Sequence, residues 1–170
     1  KKTKIIDWDF VDTCWEKESR EYQYVAANYL KAMQSYLKDS DLPKLEQLVV
    51  TKSWWDTVDI LDRVVGSLVY EKQELEKIIL QWSLSDNIWL RRVAIDHQLL
   101  RKEKTNVQLL EKILFHNLNQ TEFFINKAIG WALRDYSKTN PAWVACFIEK
   151  NKERMAELSI KEASKYLSHH

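Results

Sequence analysis

The chain has 170 residues, 45% of them hydrophobic and 30% charged, and 26 basic residues nearly balance 25 acidic ones for a net charge of +1. A chain of this length is expected to form one domain over residues 1–170, burying about 70% of its unfolded surface. Two glycines and two prolines in the whole sequence exclude a turn-rich all-β sandwich or barrel and a glycine-cradled nucleotide fold, and the near-neutral charge excludes a polycation that coats nucleic acid by bulk attraction.

In chain order, short polar stretches interrupt the apolar patterning at Glu16–Ser19, Asp39–Pro43, Lys52–Ser53, Ser85–Asn87, Asn119–Thr121, Thr139–Pro141 and near Leu158–Ser159. Ser, Asp and Thr there suit helix caps, and Pro43 and Pro141 suit first turns. About ten helices of roughly 10–18 residues result, an all-α chain. The second helix of each pair is expected to start near Ser19, Ser53, Asp86, Thr121 and Ser159, at intervals of 34, 33, 35 and 38 residues. Helix pairs at roughly this period form α-solenoids. The Trp–Gly–Tyr–Pro consensus of tetratricopeptide repeats is absent, so HEAT-like pairs are preferred.

Helical phase separates the core from a second set of residues. From Glu122 to Lys138 the stripe is Ile125, Ala128, Ile129, Ala132, Leu133 and Tyr136, and Lys127, Trp131, Arg134 and Lys138 fall opposite it. In the helix from Ser53 the stripe is Trp54, Val58, Leu61, Val65 and Leu68, with Trp55, Asp59 and Arg63 on another face. Asp59, Arg92 and Lys127 each lie six residues past the start of an equivalent helix. In a solenoid, equal offsets face one side, so these three should line one concave surface. A tryptophan off the stripe can equally pack on the next repeat, and alternating charges can equally form a solvated face. Aromatics interleaved with cations suit nucleic acid; the carboxylate of Asp59 suits it only if it does chemistry.

Other chemistry finds little support. The four histidines show no metal-ligand spacing, and no HExxH or GxSxG string occurs. His97 reads as a partly buried helix residue, and Asp96 as a partner for Arg92 at i+4. Cys14 and Cys146 are too few for a disulfide framework and, in apolar helical contexts, are expected as buried free thiols. No apolar run approaches the ~18 residues of a membrane span, and no signal peptide is visible, so an intracellular, cytoplasmic protein is expected. The start at Lys1 implies a missing N-terminal part, and His169 and His170 read as a tag remnant.

Three long strings carry a family resemblance. Thr51–Asp59 (TKSWWDTVD), Ser85–Arg92 (SDNIWLRR) and Glu122–Pro141 (EFFINKAIGWALRDYSKTNP) closely resemble segments of AlkD-type DNA alkylation-repair glycosylases, as do Leu158–Ser159 and Lys161–Ala163. The similarity keeps order and spacing from about Trp8 to Leu167. It implies a superhelix of HEAT-like repeats cradling duplex DNA and a bacterial enzyme that excises 7-methylguanine and 3-methyladenine in base excision repair. It further implies that Asp59 is the catalytic carboxylate and that Trp55 and Trp131 line the sugar and backbone at the lesion. Arg92 then supports the site and contacts phosphate, and Arg134 takes a phosphate, with Lys127 beside them by register. No cofactor and no metal are implied, and a monomer is expected. Family members carry further helices before the segment matching Trp8. The competing expectation is a non-catalytic HEAT-like module that binds branched or damaged DNA, or a protein.

Overall fold

The computed structural model describes residues 4–167; His169 and His170 lie outside them. The described residues form ten α-helices and no strand. The chain divides into two compact units, Lys1–Ile78 and Ile79–His170.

The first unit holds α1 (Trp8–Glu16), α2 (Arg20–Ala32), α3 (Leu42–Val49) and α4 (Trp55–Val69). Its core comes from one stripe per helix: Val11 and Trp15 of α1, Ala26, Ala27 and Leu30 of α2, Leu45 and Val49 of α3, and Val58, Leu61, Val65 and Leu68 of α4. Helices α1 and α2 pair, α3 and α4 pair, and α2 stacks on α4. The division falls within α5 (Gln73–Trp82).

The second unit holds α6 (Ile88–Asp96), α7 (Val107–His116), α8 (Phe123–Ser137), α9 (Pro141–Asn151) and α10 (Glu157–Ala163). Here α8 stacks on α6 on one side and on α10 on the other. All six residues of the stripe read from the sequence of α8 are buried. The fold is thus all-α, of the HEAT-like helix-pair class.

The helix starts fall within two residues of the expected ones, and asparagine caps three of the helices. Asn87, Asn106 and Asn140 accept hydrogen bonds from first-turn N–H groups of α6, α7 and α9, donors that a helix otherwise leaves unsatisfied. Pro141 opens α9 and Pro43 lies in the first turn of α3. Ser53 and Thr121 do not cap. The Ser53 hydroxyl donates back to the Val49 carbonyl, and α4 begins at Trp55 with Trp54 in the cap position. Trp54 therefore leaves the predicted stripe and is 48% exposed. Ser159 sits inside α10, buried, donating to the Asn126 carbonyl at 2.7 Å. With these starts, α2, α4, α6, α8 and α10 begin at residues 20, 55, 88, 123 and 157, which are 35, 33, 35 and 34 residues apart. The repeat is more regular than the polar breaks indicated.

Polar ties between helices follow the same period. Trp15 Nε1 reaches the Thr51 carbonyl 36 residues on, Asn117 Nδ2 the Ser83 carbonyl 34 residues back, and the Leu100 N–H the Asp135 carboxylate 35 residues on. Each links like positions in adjacent repeats.

Cys14 is buried, as expected, but Cys146 is exposed. The buried residues of α9 are Val144, Phe147 and Asn151, and Cys146 falls off that face. His97 is fully buried rather than partly so.

Candidate functional site

In the first unit, the site residues ride on the start of α4. Lys52 takes a left-handed conformation (φ 53°) in the turn before it. Its carbonyl accepts from Arg20 Nη1 at 2.5 Å, and its ammonium donates to the Lys17 carbonyl at 2.6 Å. Arg20 grips the first turn from α2. Its Nε and Nη2 donate to the two carboxylate oxygens of Asp56 at 3.1 and 2.5 Å, and Nη2 also donates to Thr57 Oγ1 at 3.0 Å. The Tyr24 hydroxyl donates to Asp56 as well. Burial alone would raise the Asp56 pKa. Arg20, Tyr24 and the Thr57 N–H together outweigh it and hold the carboxyl below its ordinary range.

This clamp was not legible in the sequence, and it fixes the turn that carries Trp55. The Trp55 ring is 47% exposed, and Asp59 lies one turn further along α4, half-buried. Trp55 and Asp59 thus share the face that their i, i+4 spacing predicts.

In the second unit, α8 carries Trp131 between cations. The Arg92 guanidinium lies 5.1 Å from the centre of the Trp131 ring and the Lys127 ammonium 5.8 Å from it, within the range of cation–π attraction. Arg92 is not on an exposed row. It is 1% exposed, its Nη1 donates to the Phe124 carbonyl at 2.6 Å, and its guanidinium lies 5.8 Å from the Phe124 ring. Phe124 in turn meets Trp89 at 4.9 Å between ring centres. Arg92 therefore sits beneath Trp131 as part of its support. Register placed it on the right helix, but a residue's charge hid its depth.

Lys127 and Arg134 lie seven residues apart on α8, two turns along one face. They converge on one carboxylate that sequence reading missed. Lys127 Nζ is 3.1 Å from Glu162 Oε1, and Arg134 Nη1 is 3.4 Å from Oε2. Lys127 above all draws the Glu162 pKa below its usual value, against the opposing effect of burial. Arg134 Nη2 also donates to the Tyr166 hydroxyl at 2.8 Å and lowers its pKa, and the Lys138 ammonium lies 4.9 Å from the same ring. Gly130, midway between Lys127 and Arg134, explains how α10 comes so near. A Cβ on Gly130 would stand 2.7 Å from Glu162 Cβ and 3.4 Å from Ser159 Cα.

Chemically, the first unit offers an exposed aromatic ring and a carboxylate one turn apart. The second offers a second indole and cations at fixed spacing. Neither arrangement is a closed pocket for a nucleobase. Among the described residues no helix is long and apolar enough to cross a membrane.

Comparison with known proteins identifies the family. The family model described as DNA alkylation repair enzyme matches residues 1–167. The chain is 36% identical to the solved structure of a predicted DNA alkylation repair enzyme from Enterococcus faecalis, over 96% of this chain and 76% of that one, with a TM-score of 0.88. The crystal structure of AlkD2 from Streptococcus mutans shares the fold, with a TM-score of 0.73 at 19% identity over 93% of this chain and 79% of that one. No curated protein matches. Matched along nearly its whole length, the chain belongs to the DNA alkylation repair enzyme family.

Proposed function

We propose that the protein is a monofunctional DNA glycosylase that removes cationic alkylated purines, 7-methylguanine and 3-methyladenine, from duplex DNA. The observation that carries this reading is the pairing, on the first turns of α4, of an exposed Trp55 with Asp59, in a chain of this family. Alkylation at N7 or N3 makes the purine cationic and hence a good leaving group. Its departure needs no general acid and no metal. Charge then moves to the deoxyribose, and the Asp59 carboxylate stabilises that oxocarbenium-like centre. At about 4 Å and an effective dielectric of ~20 the attraction is roughly 4 kcal/mol, a rate factor of about a thousand. Asp59 also serves to orient the attacking water.

The two tryptophans take different parts. Trp55 offers its exposed ring to the sugar cation. The Trp131 ring already faces Arg92 and Lys127, so it suits packing on the DNA backbone rather than holding a further positive charge. Lys127 and Arg134 neutralise phosphates. Arg92, buried, is a positioning residue that supports Trp131. The protein acts as a monomer, inside the cell, in base excision repair.

The test is release of free 7-methylguanine from methylated duplex DNA. Asp59→Asn should lose excision by about two to three orders of magnitude while binding undamaged duplex as before. Excision of uracil, a neutral base, should be negligible. Unchanged excision by a folded Asp59→Asn protein refutes the assignment. Tight duplex binding by the wild type without any base release would instead establish a non-catalytic binding module.

A further inference from the structure

The Glu162 bridge stands outside the catalytic scheme. One carboxylate spans two cations that lie two turns apart on α8. Its stem reaches that midpoint only because Gly130 has no side chain. The Lys127 contact is an ordinary one, and the Arg134 contact is long for an ion pair. The Arg134 contact is 3.4 Å and single rather than forked, and the side chains of Lys127 and Arg134 keep 25% and 29% of their surface exposed. Glu162 itself keeps 15%, and part-buried pairs whose cations still meet solvent add only modest stability, since solvent screens them and ordering long side chains opposes them. A carboxylate and a phosphodiester use the same donors in the same way. The surrounding charge favours an anion here. Lys138 and Lys165 also act on this cluster, and Glu162 is the acid in contact with it.

We infer that Glu162 is a built-in competitor for DNA phosphate, occupying Lys127 and Arg134 until the backbone displaces it. This rests on the reading of the protein as a DNA-binding enzyme. The consequence is selectivity: undamaged duplex, which offers only phosphates, must replace an internal anion before it gains these two contacts. Displacement also frees the Lys127 ammonium, 5.8 Å from the centre of the Trp131 ring, to follow the phosphate.

The test is equilibrium binding of purified protein to an undamaged duplex, titrated across salt concentration, for the wild type and Glu162→Gln. The amide keeps the shape beside Gly130 and loses the charge. Affinity should rise about three- to tenfold near 0.1 M salt, because a negative charge within several ångströms of the phosphate is gone. The slope of log affinity against log salt should steepen by about one unit, one more cation then being available for phosphate. Adding Lys127→Met to Glu162→Gln should remove much of the gain. Glu162→Asp, whose shorter stem withdraws the carboxylate from both cations, should show a smaller gain in the same direction. Unchanged affinity and slope in both single variants, with thermal unfolding like the wild type, overturns the inference and leaves the glycosylase reading intact. Failure of the wild type to bind duplex at all overturns both.

Discussion

Asp56→Asn removes the charge at the centre of the clamp on α4 while keeping its volume. The wild-type carboxylate accepts two hydrogen bonds from Arg20 and one from the Tyr24 hydroxyl. Hydrogen bonds to charged groups contribute about 1.5–3 kcal/mol each, but the Arg20 side chain keeps 31% of its surface exposed, and solvent screening offsets much of that sum. The expected loss is about 1–2 kcal/mol, or roughly 3–6 °C in the thermal midpoint of a chain this long. Its pH dependence identifies the cause. The folded pKa of Asp56 is depressed below the ordinary value of 3.8. Its stabilisation is therefore full above the unfolded pKa and is lost as pH falls through the folded one. The gap between wild type and Asp56→Asn should be constant from pH 7 to about 5 and shrink only once the pH falls below the ordinary carboxylate value. Chemical denaturation at several pH values measures it. A variant as stable as the wild type at pH 7, or a gap that persists undiminished at pH 2, would refute the clamp.

Two further outcomes follow from buried features. His97 is fully buried at the end of α6, with Nδ1 against the Ala94 carbonyl at 2.7 Å; burial first, and then Arg101, lower its pKa to about 3. Folding thus excludes a proton that the unfolded chain takes up below about 6.5, so stability should fall by about 2 kcal/mol between pH 8 and pH 5, and denaturant titrations of His97→Gln should lack that component. Gly130→Ala should destabilise by about 1–3 kcal/mol despite the better helix propensity of alanine, because the new Cβ meets Glu162 and the α10 backbone; a stabilised variant would show that α10 withdraws freely.

The fold was largely legible because it repeats. Stripes such as Ile125–Leu133 fix each helix's buried face by spacing alone, and polar breaks at similar intervals give the pairing. That Trp55 and Asp59 stand off the buried stripe of α4 was legible for the same reason, whereas Trp54, read as part of that stripe, is exposed. The clamp and the Glu162 bridge were not. The sequence holds 26 basic and 25 acidic residues, and nothing local marks which of them meet across helices. The available signal was the period itself: Arg20 and Asp56 are 36 residues apart, Lys127 and Glu162 are 35. Arg92 and Cys146 show the limit of residue type as a guide to depth. A guanidinium goes inside where a carbonyl and two rings receive it, and an apolar context leaves a thiol outside when its helix buries another face.

The constancy of that one-repeat separation bears on how the chain acquires its structure. Every inter-helix tie described spans roughly one repeat of polypeptide, so none of them waits for the two ends of the chain to find one another. Loop-closure entropy grows only slowly with length, and each new helix on the nascent chain meets its partner soon after it is made. Folding can then proceed by accretion, each pair templating the next, with cooperativity carried between nearest neighbours. A ruler of this kind also constrains change. One residue inserted within α8 turns everything beyond it by about 100° about the helix axis, whereas the same residue added to the turn between α8 and α9 leaves the register of both helices intact.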